Sequence, residues 1–326
     1  MVKLYYGING AFLTRRWEEP ENFMKLTAEC GYRYHSFCSD VLDPFFSGDG
    51  KYRAETAAEI KKASGKYGVK IVDYYTGVAT HRFHGLSHTD ARVRARMKQW
   101  MEQAMDLALS MGTGIIGGHW DALSVELMAD GKRMAGAPGN VYRQFRELAE
   151  TAKKKGMDAI YNEQMYIPSE IPWTLDGAEE FLVETNRDSK GAPVRLTVDI
   201  GHQAGQAYGQ KGDDTDYVKW LERFAAFTEV VHVQQTTREA SHHWPFTEEY
   251  NKKGHVDIQK TIDAIKKSFE TCGKSRVAEH LKPVENVYLI AELIPGSTKN
   301  EEKLLEELKV SADYLKKYVP EDGMTI

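Results

Sequence analysis

Arg195-Leu196-Thr197-Val198-Asp199-Ile200-Gly201-His202 is a short β-rich run that ends in a carboxylate, followed three residues later by a histidine. It does not stand alone. Ala159-Ile160-Tyr161-Asn162-Glu163 precedes it, Val230-Val231-His232-Val233-Gln234 follows it, and Arg276-Val277-Ala278-Glu279 comes after that. Each is an apolar run closed by an oxygen-bearing side chain. In parallel α/β proteins, functional groups collect where strands end and loops begin. Four oxygen ligands converging there suit a hard divalent cation and leave room for substrate oxygens.

Working outward from these runs, strands are expected at 3–9, 32–38, 70–75, 113–119, 157–163, 194–199, 230–234 and 276–279. Helical patterns lie between them. Over 92–111, Met97, Trp100, Met101, Met105, Ala108 and Leu109 recur at helical spacing, with Thr89 as a cap and Gly112 as a stop. A last helix carries Leu304, Leu308, Ala312 and Leu315, set off by Pro295-Gly296-Ser297 from an apolar run at 287–294. Strand then helix, eight times over, predicts a single (β/α)₈ barrel spanning 1–326. Two connections, 76–90 and 235–257, exceed what a barrel needs and should rise over the catalytic face.

Composition narrows the function. A net charge of -5 gives no reason to expect a nucleic-acid partner. No apolar run reaches the ~20 residues of a membrane span and no signal peptide is evident, so a cytoplasmic protein with no membrane partner is expected. Cys30, Cys38 and Cys272 lack zinc or redox spacing and read as reduced thiols. Gly112-Thr113-Gly114-Ile115-Ile116-Gly117 matches a dinucleotide fingerprint in letters, but it follows a helix and enters a strand, the reverse of the order that motif needs.

Taken singly, a strand-end carboxylate is more often an ion-pair partner or a helix cap than a ligand. The segments Val198-Asp199-Ile200-Gly201-His202, His232-Val233-Gln234 and Ala278-Glu279-His280-Leu281-Lys282-Pro283 add weight because they resemble the xylose-isomerase-like barrel superfamily, in particular its ketose 3-epimerases and hydroxypyruvate isomerases. The resemblance is dense in the second half of the chain, where Gly254-His255-Val256-Asp257 also looks like a family loop. It implies that Glu163, Asp199, Gln234 and Glu279 hold one divalent metal ion (Mg, Mn, Co or Zn) and that His202 touches substrate. One departure is Gln234, where many epimerases carry His.

The residues themselves allow compatible chemistry. A cation bound to a ketose acidifies the C–H next to its carbonyl. Glu163 and Glu279 could then move protons on opposite faces of the sugar. His232, two residues before Gln234, also points inward and could support the ligands. His119 could touch substrate or simply pack, and Arg238 and Trp244 sit in the long seventh loop, Arg238 as a candidate phosphate clamp. His81, His84 and His88 have metal-like spacing but read as an ordinary loop.

The expectation is therefore a metal-dependent sugar or sugar-phosphate isomerase or epimerase, 3-epimerisation of a ketose favoured, assembled as a homodimer or homotetramer. Besides a non-catalytic binding barrel, against which the four ligands argue, two competitors use related scaffolds. One is a metal-dependent lyase that decarboxylates a keto sugar acid. The other is an apurinic-site endonuclease-like hydrolase, which would need a His-rich multi-zinc site that these strand ends do not offer.

Overall fold

The computed structural model describes residues 1–77 and 84–326. Eight parallel strands close into a barrel: β1 (Lys3–Asn9), β2 (Tyr34–Cys38), β3 (Lys70–Tyr75), β4 (Ile115–Gly117), β5 (Ala159–Glu163), β6 (Val194–Asp199), β7 (Val230–Val233) and β8 (Asn286–Ala291). They pair in sequence order, and β1 closes the ring by pairing with both β2 and β8. A two-residue strand, β9 (Met324–Thr325), runs antiparallel along β1. Strands β5, β6 and β7 are buried throughout, as expected when helices cover the outside of a parallel sheet and side chains fill the inside.

Seven of the eight expected strands lie within or close to their predicted limits. The eighth does not. Arg276–Glu279 is a turn of 3₁₀ helix, started by the Ser275 side chain, in which only Val277 is buried. Arg276 faces solvent and reaches Glu179 and Glu180. The eighth strand is instead drawn from the apolar run beyond Pro283. A central parallel strand must be apolar on both faces, and Asn-Val-Tyr-Leu-Ile-Ala at 286–291 meets that demand where Arg-Val-Ala-Glu does not.

The helix over Ala91–Met111 buries Met97, Trp100, Met101, Met105 and Ala108 against the barrel and stops at Gly112, whose φ of 93° is the left-handed conformation glycine adopts without a Cβ clash. Its cap is Asp90, which accepts from the Arg92 N–H, rather than Thr89. Glu301–Lys316 forms the last helix and buries Leu304, Leu308, Ala312 and Leu315. All three cysteines are free thiols. Among the described residues no helix is long and apolar enough to cross a membrane. The 76–90 connection lies partly outside the described residues, and so does His81 of the 81/84/88 triplet. The 235–257 connection contains a bridge from Gln235 to Trp244 and a short helix, Glu248–Lys253.

Candidate metal centre

Strand register places the chemistry. Glu163 pairs alongside Thr197, two residues before Asp199, and Asp199 pairs alongside His232, so the ends of β5, β6 and β7 bring their last inward residues together. The chain leaving β8 adds Glu292 directly after Ala291. Ligand atoms of Glu163, Asp199, His232 and Glu292 all lie within 4.8 Å of one another, and all four residues are buried. His232 stands between the two glutamates, its Nδ1 3.0 Å from Glu163 Oε1 and 3.4 Å from Glu292 Oε2.

Of the four residues expected to hold metal, the structure brings Glu163 and Asp199 into this ring. Gln234 reaches it differently. Its amide nitrogen donates to both Asp199 oxygens at 3.0 Å, while its oxygen accepts from the His243 N–H at 2.6 Å and from the Ser241 hydroxyl. A backbone N–H can only donate, so this contact fixes which end of the amide faces away. Gln234 therefore orients Asp199, and His232, expected only to support the ligands, stands in the ring itself. Glu279 is exposed on its 3₁₀ turn, and the carboxylate at the eighth strand end is Glu292.

His202 lies beside the ring: its Nδ1 sits 2.9 Å from the Gln164 carbonyl, which requires a proton there, and its Nε2 is 3.5 Å from Asp199 Oδ2. His119 is buried after β4 but turned toward Glu170, 3.6 Å away. Arg238 is exposed. Trp244 stacks on His242, with ring centroids 3.9 Å apart, and on Tyr250 at 5.1 Å. Two further residues were given no role from the sequence. Gln164 clamps the Asp199 backbone, accepting from its N–H at 2.7 Å and donating to its carbonyl at 2.9 Å. His243 places Nδ1 3.3 Å from Glu292 Oε2, at a φ of 51° that few non-glycine residues adopt. Such supports come from loops folding back on the ring, which no local sequence signal announces.

Burial and charge act against each other here. Burial pushes the Asp199 carboxyl up to about 6. Burial also opposes charge on His232, yet Glu292 and Glu163 outweigh it and hold the imidazole protonated. The same contact outweighs burial at Glu292, leaving its carboxyl well below the usual range, and keeps Glu163 low as well. Three carboxylates thus gather with one imidazolium in a buried site. A divalent cation fits this donor set, since hard oxygens and one imidazole suit Mg²⁺, Mn²⁺, Co²⁺ or Zn²⁺ and the cation can replace the imidazolium proton as counter-charge.

On the same face, beyond the ends of β1, β2 and β8, opens a cavity of about 890 Å³ lined in part by Thr14, Arg15, Asp40, Ser47 and Ile294. Arg16 is engaged by Glu301 at 2.6 Å, whereas Arg15 lines the cavity with a φ of 61°.

The profile of the xylose isomerase-like TIM barrel family matches residues 24–272. The chain belongs to that family. Among curated relatives, the D-erythrulose 1-phosphate 3-epimerase of Brucella abortus (strain 2308) is 21% identical over 265 residues, covering 81% of this chain and 84% of the relative. Among solved structures, a Rhodospirillum rubrum ATCC 11170 protein assigned provisionally as a xylose isomerase superposes with a TM-score of 0.82 at 23% identity, over 97% of this chain and all of that one. The D-psicose 3-epimerase of Clostridium cellulolyticum H10, solved with D-tagatose, gives 0.66 at 14% identity, over 96% and 98%. At these identities the structural likeness establishes the fold.

Proposed function

We propose that this chain is a divalent-metal-dependent sugar or sugar-phosphate isomerase or epimerase, with 3-epimerisation of a ketose as its reaction. One observation carries the reading: two buried glutamates, Glu163 and Glu292, flank His232 from strands separated by β6 and β7, and Asp199 completes the ring. The similarity to an epimerase of a ketose phosphate supports it.

Glu163, Asp199, His232 and Glu292 would hold the cation. When bound, it would polarise the ketose carbonyl and acidify the neighbouring C–H. One glutamate would take the C3 proton through a carboxylate oxygen, and the other, ionised in the metal-free site, would have to gain a proton before delivering it to the opposite face of the same carbon. The first ends the turnover as the acid and the second as the base, so the pair is set for the reverse reaction. Gln164 and Gln234 keep Asp199 fixed while this happens. His202 offers Nε2 next to Asp199, within reach of a sugar hydroxyl bound at the ring.

The test is incubation of Mn²⁺-loaded protein with ketoses, ketose phosphates and keto sugar acids in D₂O. Deuterium at C3 with formation of the epimer is expected. Label at C1 or C2 alone would make the enzyme an aldose–ketose isomerase, release of carbon dioxide would make it a lyase, and no exchange with any ketose would overturn the proposal.

A further inference from the structure

The barrel interior directly beneath the metal ring is polar where packed aliphatic side chains are the rule. Ser36 on β2 and Asp73 on β3 are register partners, and Thr197 on β6 lies two residues before Asp199. All three are fully buried, as are Tyr75 and His232. The Tyr75 ring lies 4.6 Å from the His232 ring. Among the described residues no well-formed hydrogen bond reaches Ser36 Oγ, either Asp73 carboxylate oxygen, Tyr75 OH, Thr197 Oγ1 or His232 Nε2, all of them buried, although Ser36 approaches Asp73 and Thr197 approaches Tyr75. A buried carboxylate in that state is costly, and buried groups of this kind are normally satisfied by one another or by ordered water. Ser36 favours the Asp73 carboxylate most and the charge on His232 comes next, while Glu163 and Glu229 repel it.

We infer that Asp73 is a positioning residue for His232: its carboxylate accepts the Nε2 proton of the imidazole, relayed by an ordered water held among the hydroxyls of Ser36, Tyr75 and Thr197, and so turns the Nδ1 lone pair toward the cation. Metal-binding histidines generally donate their second ring N–H to such an acceptor, which fixes the tautomer and the ring angle. Here the ring nitrogen facing Glu163 and Glu292 is Nδ1, the other has no well-formed hydrogen bond among the described residues, and Asp73 is a buried acid that feels the charge of this imidazole. This inference rests on His232 being a metal ligand, as proposed above.

The test is calorimetric titration of Mn²⁺ into the EDTA-stripped full chain, its Asp73→Val and Asp73→Asn variants, and the same Asp73 changes in a His232→Gln background. Asp73→Val should weaken Mn²⁺ binding by about 10–100-fold and Asp73→Asn by less, because the amide oxygen still accepts. The melting temperature of the metal-free chain should not fall with either variant, since each removes the cost of burying a carboxylate. In the His232→Gln background the Asp73 changes should have no further effect on affinity. The visible spectrum of the Co²⁺-loaded protein should shift in Asp73→Val, as the imidazole turns. Affinity within about twofold of the parent in both single variants, or equal losses with and without His232, would overturn the inference while leaving the metal site standing. Failure of the parent chain to bind Mn²⁺ would instead remove the metal reading on which it depends.

Discussion

Metal binding to this ring should expel protons, in a number set by its electrostatics. His232 is held protonated between Glu163 and Glu292, and the same Nδ1 that contacts them must lose its proton to coordinate. That contributes about one proton at neutral pH. Asp199, raised to about 6, is about half protonated at pH 6 and about 3% protonated at pH 7.5. His243, also raised through its contact with Glu292, adds at most about one more as the cation draws on that carboxylate. Release of about one to two protons is therefore expected at pH 7.5, rising by about half a proton at pH 6. Affinity for the cation should rise with pH across this range. The assay is titration calorimetry of Mn²⁺ in buffers of different ionisation enthalpy, whose slope gives the proton count. His232→Gln should lower the count by about one. A count near zero in the parent chain, or an unchanged count in His232→Gln, would show that His232 is no ligand and that its contact with the glutamates is only a buried ion pair.

Other expectations follow from the same geometry. At saturating Mn²⁺, Glu163→Gln and Glu292→Gln should each lower kcat by about 10²–10⁴, whereas Glu279→Gln, on its exposed turn, should leave kcat and melting temperature unchanged; a comparable loss in Glu279→Gln would refute the placement of the eighth strand. Gly201→Ala would set a Cβ 2.4 Å from the Gln234 side-chain carbon and push that amide off Asp199, so weaker Mn²⁺ binding is expected, and unchanged affinity would deny Gln234 its orienting role. Burial raises Asp73 from 3.8 to about 7, so its contribution to the stability of the metal-free chain is full below pH 3.8 and is lost as pH rises through 7. The loss amounts to at most about 4 kcal/mol over the whole range, of which about 2.6 kcal/mol falls between pH 5 and 8, and urea unfolding at those two pH values should show it in the parent and not in Asp73→Asn. Arg15→Ala should raise KM for a ketose phosphate while sparing the unphosphorylated sugar, because Arg15 lines the cavity while its neighbour Arg16 is engaged by Glu301; equal effects on both sugars would count against a phosphate contact.

The barrel was legible because its demands are local and repeated: each parallel strand must be apolar on both faces, and each helix must show an apolar stripe to the sheet. The error at the eighth strand shows what happens when a short motif is weighed above that demand. Ala278-Glu279-His280 looks like a ligand-bearing strand end, but Arg276 and Glu279 flank only two apolar residues, and such a segment cannot line both the core and the interior. The run ending Leu289-Ile290-Ala291-Glu292 carried the better signal, a carboxylate closing six strand residues just before Pro295. It was masked because Glu292 is followed by Leu293 and Ile294, so the run reads as one apolar stretch with a charge inside it.

The choice between His232 and Gln234 is different in kind. Period two sends both side chains inward, and an amide oxygen is as reasonable a ligand as an imidazole. What separates them is the His243 N–H, which returns from the long loop at 2.6 Å to take the Gln234 oxygen and leaves its nitrogen facing Asp199. That contact is possible because His243 adopts a left-handed backbone, a conformation that the sequence Ser241-His242-His243-Trp244 does not advertise. The same residue then presents its ring to Glu292. A single strained loop residue thus turns one inward side chain into a brace, leaves the other free to coordinate, and contacts the second glutamate. Replacing His243 with glycine would keep the backbone turn and the Gln234 brace while removing the ring. Metal affinity should then survive, and any loss of turnover would belong to the His243–Glu292 contact alone.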